Sequence, residues 1–288
     1  MQLNIKDEVS RLESVIIGIA HNRGTTVHEN NPKIAKHLKQ GTLPSKSQLI
    51  KYVESFAELV ESQGIEVIRP RNIENQDQIF ARDISFVIDD VMVKSNMKKE
   101  NRRIELKGID FIHNQIPQNQ ILEMPEDSFI EGGDVILHGK YVFVGISERT
   151  NWSGYEFLKK SFPQKEVIPF QLCVTENPAT NILHLDCAFQ PVGTDSAIIY
   201  EGGFVYHPEA IYDIFGERNL IKVTQYEMYH MYPNIFSLAP DKVVSDATFG
   251  RLNDILRGKS IEVLETNYSE VGKLGGLFRC STLPLSRK

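Results

Sequence analysis

The sequence predicts an α/β fold in which a helix repeatedly feeds a short β segment, with propeller-like packing of small sheets rather than one doubly wound parallel sheet. Two observations carry this expectation. The order helix, glycine, short strand returns at intervals of roughly 50 to 100 residues. No Gly/Ser-rich or Pro-rich linker divides the 288 residues, so one domain over 1–288 is expected. A generic α+β domain is the alternative reading of so short a repeat.

The clearest helix covers 47–63, where Leu49, Val53, Phe56 and Val60 recur at spacings of three and four, Ser45 or Ser47 can cap, and Gly64 can terminate. A strand follows at 65–70 and stops at Pro70. The pattern returns with GIDFIH at 108–113, with KEVIPF at 165–170 after the helix-like YEFLKKSF, and with SIEVLE at 260–265 after FGRLNDILRGK. Between these lie strongly apolar strands at 84–94, 134–145, 182–192 and 196–206, the second folding as a hairpin that turns at 138–140.

Composition bounds the function. With 41% hydrophobic and 24% charged residues the chain can bury enough apolar surface to fold, and long disorder is not expected. Acidic residues outnumber basic ones by 38 to 32, a net charge of −6, and no Lys/Arg cluster is interleaved with aromatics, which argues against nucleic acid as a partner. The apolar patch at 15–20 is too short for a membrane span and lacks the basic start of a signal peptide, so a cytoplasmic location without membrane contact is expected. The three cysteines, Cys173, Cys187 and Cys280, are odd in number and widely spaced, offering neither a disulfide framework nor a C-x-x-C metal site.

Polar residues interrupt the apolar strands at few places. In ILHLDCAF, His184 and Asp186 stand two apart on an expected strand, which would put both on one face about 6–7 Å apart. In FIEGGDVIL, Glu131 and Asp134 flank two glycines that permit close backbone approach; Asp134 reads as a solvated turn acid. Asp83 follows Arg82 at a strand mouth, where a surface ion pair is the bland alternative. Cys280 follows Arg279 in a glycine-rich stretch, and a neighbouring cation would stabilise its thiolate. Cys173 and Cys187 read as structural. A thiol, a histidine and several carboxylates suit a cationic, planar, hydrogen-bond-donating substrate such as a guanidinium, whose delocalised carbon needs a strong nucleophile and a proton donor for the leaving amine.

The motifs FARD (80–83), RRIE (102–105), EGGD (131–134), GISERTN (145–151), HLD (184–186) and GGLFRC (275–280) resemble, in order, those of the guanidino-group-modifying enzymes: arginine deiminases, dimethylargininases and arginine amidinotransferases. The resemblance implies a five-fold pseudosymmetric α/β-propeller, or pentein, with a central site. It implies Cys280 as nucleophile, His184 as general acid and base, and Glu131 as the residue that orients His184. Asp83 and Asp186 would hold the guanidinium nitrogens, and Arg149 and Arg102 the α-carboxylate. No cofactor and no metal are expected; the partner is a small guanidino substrate, and a homo-oligomer is left open.

The expected activity is cysteine-dependent hydrolysis of a guanidino or ureido group of arginine or a derivative through a covalent amidino-thioether. The alternatives are transfer of the amidino group to an amine, a metal hydrolase built on His184, Asp186, Glu131 and Asp83, and a non-catalytic propeller binding module like a ribosome anti-association factor of the same architecture. HLD carries a carboxylate where dimethylargininases usually have a basic residue, which favours an unmethylated guanidino group. Chain length and the SERTN segment look more like dimethylargininases, so substrate identity stays open at this stage. The polar, turn-rich segment 22–45 is a candidate lid.

Overall fold

In the computed structural model, which describes residues 1–21 and 31–288, the described strands form five three-stranded sheets of one connectivity. Strands β1 (Leu12–Ile17) and β2 (Glu66–Ile68) are joined by β15 (Thr282–Arg287). The other four sheets are β3 (Ser85–Ile88), β4 (Val91–Lys94) and β5 (Ile121–Glu123); β6 (Val135–His138), β7 (Tyr141–Ile146) and β8 (Glu166–Gln171); β9 (Phe189–Val192), β10 (Ser196–Ile199) and β11 (Leu220–Lys222); β12 (Phe236–Ala239), β13 (Lys242–Asp246) and β14 (Glu262–Thr266). In every sheet the middle strand is antiparallel to one neighbour and parallel to the other. A parallel pair needs a crossover, and each crossover here carries helical structure. The last strand completes the first sheet, pairing Ile16 with Leu283 and Ile17 with Thr282.

The helix expected at 47–63 spans Lys46–Glu61. Ser45 closes a capping box with Gln48, and Leu49, Val53, Phe56, Ala57 and Val60 are buried. Gly64, at φ +77°, turns the chain into β2. The hairpin expected at 134–145 forms as β6 and β7, with Ile136 opposite Phe143. The segments 165–170 and 260–265 become β8 and β14.

Four expected strands differ. Residues 108–113 are helical, a 3-10 turn over Ile104–Ile109 running into a short helix over Asp110–His113. The buried residues Ile109 and Ile112 stand three apart, the helical spacing, and the strand of this unit is β5. Residues 84–94 are two strands, broken where Asp89 takes φ +53°. In 182–192, a 3-10 turn over Leu185–Cys187 precedes β9, and 196–206 ends as a strand at Ile199 before a turn over Glu201–Gly203. No described helix is long and apolar enough to cross a membrane.

Phe56 anchors the packing of the Lys46–Glu61 helix, its ring centroid 5.1 Å from that of Phe278, 5.2 Å from Tyr268 and 6.4 Å from Phe236. Phe56→Ala should therefore lower the unfolding free energy by about 3–5 kcal/mol. Ser45→Ala, which loses only the cap, should cost about 1 kcal/mol. Urea unfolding followed by circular dichroism checks both; equal losses would contradict this account of the packing.

Candidate active site

The first strand of each of the four hairpins, and β15, which pairs with β1 in the same sense, is entered through a tight turn closed by a backbone hydrogen bond from residue i+3 to residue i. The five are Asp83 to Phe80 (3.4 Å), Asp134 to Glu131 (3.0 Å), Cys187 to His184 (3.0 Å), Asn234 to Met231 (2.9 Å) and Ser281 to Phe278 (3.2 Å). The first three turns pack on one another in order, and hydrogen bonds link the fourth turn to the third, the fifth to the fourth and the first to the fifth. Glu131 and His184 hold the same position, i, in consecutive units, and their side chains meet: His184 Nε2 lies 2.9 Å from Glu131 Oε2. The glycines of EGGD make the approach possible. A Cβ on Gly133 would lie 2.6 Å from His184 Nδ1, and one on Gly132 would strike the carbonyl of Arg82.

One cavity is lined by Phe80, Asp83, Arg102, Arg149, His184 and Cys280, among others. Asp83 Oδ1 lies 3.6 Å from His184 Nδ1. Arg102 donates to Asp83 Oδ2 (2.8 Å) and makes two bonds to Glu105 (2.9 and 3.0 Å), so its guanidinium is committed to carboxylates of the protein. Arg149 Nη1 stands 3.4 Å from Glu131 Oε1. Asp83 Oδ1 and Arg149 Nε are buried and make no hydrogen bond to the described residues. One is an acceptor and the other a donor, both at the cavity. Asp186 lies against the thiol, its Oδ2 3.5 Å from Cys280 Sγ.

Several local readings of the sequence are revised. His184 and Asp186 do not share a strand face; they flank Leu185 at the start of a 3-10 turn, which sends His184 to Glu131 and Asp186 to Cys280. Asp134 is wholly buried rather than solvated. It accepts from Ser147 Oγ (2.6 Å) and from the amide of Leu185 (2.9 Å), while Ser147 Oγ accepts from the amides of Arg149 and Thr150. Asp134 thus ties the HLD turn to the SERT turn. Arg82 is buried as well, directed at Arg279 O (3.4 Å) and Thr282 Oγ1 (3.3 Å) rather than paired at the surface. Arg279 does not face the thiol: it donates to Glu8 (2.8 and 3.3 Å), to Asp186 Oδ2 (3.0 Å) and to Val135 O (2.8 Å).

The electrostatics follow from burial among carboxylates. Burial alone would lower the pKa of His184, but Asp83, Asp134 and Glu131 outweigh it and push it up to about 10. Burial and Asp186 hold the Cys280 thiol well above its ordinary value. Burial would raise Glu131, yet the hydrogen bond from His184 and the charges of Arg149 and Arg102 hold it at about 2. Without substrate the site therefore contains an imidazolium, a neutral thiol and ionised Glu131.

Asp83, Glu131 and His184 each offer one ligand atom within 4.8 Å of the others, a set that could hold a cation. Asp186 is not in it, and Arg102 and Arg149 already pair with its two carboxylates. Of the candidate lid, 22–30 lies outside the described residues; Asn31 and Ile34, beside and within the helix Pro32–Lys39, line the cavity.

Sequence reasoning missed Glu8, Glu105 and Asn234. Asn234 was within reach, since it holds position i+3 of its turn as Asp83 and Asp134 hold theirs. Glu8 carries no local signal, because its partner Arg279 is 271 positions away.

The eukaryotic N,N dimethylarginine dimethylhydrolase family model matches residues 21–287. The chain is 33% identical over 238 residues to the uncharacterised protein YkgA of Bacillus subtilis strain 168, covering 78% of this chain and 79% of that protein. It is 27% identical over 249 residues to an arginine deiminase of Listeria monocytogenes serotype 4a, covering 73% of this chain but only 61% of the deiminase. Two solved structures share the fold. An amidinotransferase of saxitoxin biosynthesis from Microseira wollei superposes with a TM-score of 0.81 at 15% identity, covering 99% of this chain and 98% of that one. The N-terminal domain of an arginine dihydrolase from the ornithine-ammonia cycle in cyanobacteria gives 0.82 at 18% identity, covering 95% and 98%.

Glu8→Gln should destabilise the fold by about 3–5 kcal/mol, because it leaves Arg279 buried with one anion fewer. Burial would raise the pKa of Glu8, but Arg279 and Arg82 hold it at about 2, against an ordinary 4.5. A depressed carboxylate stabilises the fold fully above its unfolded pKa and progressively less as pH falls toward its folded one. Denaturant midpoints of the unmodified protein should drop between about 4.5 and 2, and those of the variant should drop less; parallel curves would refute the pairing.

Proposed function

The chain belongs to the guanidino-group-modifying enzymes, within the reach of the dimethylarginine dimethylhydrolase family model, and from that premise we propose that it is a cysteine hydrolase of an arginine-like guanidino group. The observation that carries the reading is the convergence of Cys280, His184 and Asp83 on one cavity, with Glu131 bonded to His184 and Asp186 against the sulfur. We read the five sheets as blades of a five-fold pseudosymmetric α/β-propeller, one domain over 1–288 with the site at its centre. Three free thiols suit a reducing compartment, the cytoplasm.

The guanidinium enters as a cation among Asp83 and Asp186, its N–H groups satisfying Asp83 Oδ1. Its charge offsets the carboxylate field that keeps Cys280 protonated, and the thiol proton leaves to solvent. The thiolate attacks the guanidinium carbon, forming the S–C bond. The C–N bond to the leaving nitrogen then breaks as His184 delivers its proton to it, releasing ammonia or an amine. Glu131 holds the ring and stabilises its charged form. Neutral His184 then takes one proton from water, whose oxygen bonds to the carbon as the S–C bond breaks and whose second proton passes to solvent, giving a neutral ureido product and restoring thiolate and imidazolium.

An unmethylated guanidino group fits best, because each methyl removes a donor and would leave a buried carboxylate oxygen unpaired at about 1–3 kcal/mol. Arg149, with its free Nε, is assigned the substrate's α-carboxylate. Arg102, committed to Glu105 and Asp83, would reach it only by giving up one of them. Transfer to an amine is the second reading, as the fold is shared with an amidinotransferase.

A panel of arginine, citrulline, agmatine, methylarginines and guanidinoacetate, with and without ornithine or glycine, is followed by mass spectrometry. Ureido product without an added amine, and an amidino adduct on Cys280, are expected; turnover only with an amine would establish the transferase. Cys280→Ser should lose about 10⁴-fold or more in kcat, and a fully active variant would remove the nucleophile assignment. The pH profile follows from the two titrations. Reaction needs the thiolate while His184 keeps its proton, so kcat/KM, which reports the free enzyme, should climb by about tenfold per pH unit from neutrality toward the His184 pKa of about 10. A plateau reached below pH 7 would contradict it.

A further inference from the structure

Asn234 is fully buried, and its four hydrogen-bonding positions are all used. Oδ1 accepts from the backbone amides of Leu277 (3.1 Å) and Cys280 (3.1 Å). Nδ2 faces the carbonyl of Asp186 (3.3 Å) and Cys280 Sγ (3.2 Å). This orientation is forced, because two backbone N–H groups can be met only by the amide oxygen, so the NH₂ must turn toward the carbonyl and the sulfur. We propose that Asn234 is a further catalytic residue, whose amide donates to the Cys280 sulfur as it becomes a thiolate and whose oxygen holds the turn that carries that sulfur.

A neutral thiol sulfur is a weak acceptor and a thiolate a strong one, so this bond gains most of its strength upon ionisation. It therefore acts on the attacking state more than on the resting one, which is what lowers a barrier. The charged and titratable groups that face the sulfur divide in sign. Asp186, Cys187 and Asp83 oppose the thiolate, the phenol of Tyr268 is coupled to it in the same sense, and Lys33 attracts it. The backbone amide of Leu277 favours the thiolate, and that amide is held by Asn234 Oδ1. One side chain thus supplies one donor to the sulfur and fixes another. The sequence MYPNIFSLA repeats the pre-hairpin turn of the other units, and it is the only described unit with asparagine at position i+3.

The inference rests on the nucleophile assignment of the proposed function, and Asn234→Asp tests it separately. The substitution keeps an oxygen for both backbone amides and replaces the NH₂ by an acceptor. Alkylation of Cys280 by iodoacetamide without substrate, mapped by mass spectrometry against Cys173 and Cys187, should show its pH midpoint raised by about one unit or more. With the substrate found in the panel, kcat should fall about 10- to 100-fold with KM within about threefold. An alkylation profile and a kcat equal to those of the unmodified protein would overturn the assignment. Should Asn234→Asp fail to fold, nuclear magnetic resonance of the unmodified, asparagine-labelled protein decides: the Asn234 side-chain amide must shift as Cys280 titrates and stay fixed in Cys280→Ser, and an unmoved resonance overturns the proposal. Turnover surviving in Cys280→Ser would remove the proposed function while leaving the sulfur-to-amide contact readable by alkylation and resonance.

Discussion

The site depends on a guanidinium that is not the substrate's. Arg279 has no exposure to solvent, and a buried cation without partners would not persist. It is held by Glu8 on one side, by Asp186 on the other and by the carbonyl of Val135. Those partners come from the N-terminal segment, the HLD turn and the start of β6, while Arg279 itself precedes Cys280. Four distant parts of the chain are thus referenced to one charge. Arg279 is shared between Glu8 and Asp186, and Asp186 beside the sulfur still opposes the thiolate.

That arrangement explains why the resting thiol is protonated and why the substrate should be a cation. Asp83, Asp134 and Glu131 raise His184 against its burial, while burial together with Asp186 and Asp83 raises Cys280, so the site holds a proton on each. An imidazolium is the state needed to protonate a leaving amine, and it costs no rearrangement at the moment of reaction. A thiol is the wrong state for attack. In the proposed reaction a substrate guanidinium among the carboxylates would supply the positive charge that favours the thiolate, a charge that Arg279, shared between Glu8 and Asp186, does not bring to the sulfur. The neighbouring arginine that looked in the sequence like a thiolate stabiliser instead orients the acid that opposes the thiolate.

What could be read from the sequence was whatever depends on neighbours in the chain. The helix Lys46–Glu61 announced itself through Leu49, Val53, Phe56 and Val60, and the β6–β7 hairpin through the turn at 138–140, because periodicity and turn chemistry are local. GIDFIH at 108–113 misled, since two isoleucines three apart among six residues fit a strand or a helical turn, and only packing decides. HLD misled in geometry: the run around it is apolar throughout, so nothing in it marks the 3-10 turn that separates His184 from Asp186. Glu8 was invisible because an ion pair spanning nearly the whole chain leaves no spacing to recognise.

The five turns also explain how one repeated backbone holds unlike chemistry. Position i is Phe80, Glu131, His184, Met231 and Phe278 in successive units, so an acid and a histidine share that position in two consecutive turns and a bulky apolar residue fills it in the other three. Packing consecutive turns brings equivalent positions together, and with Gly132 and Gly133 clearing the approach Glu131 meets His184. Position i+2 carries Asp186 in the third unit and Cys280 in the fifth, and position i+3 carries Asp83, Asp134 and Asn234. The backbone therefore specifies where side chains can converge, and residue identity at these positions specifies what they do. A likeness of fold to enzymes that transfer and to enzymes that hydrolyse follows from the first alone, so in the proposed mechanism the acceptor of the second step would have to be set by groups other than the turn that holds His184 against Glu131.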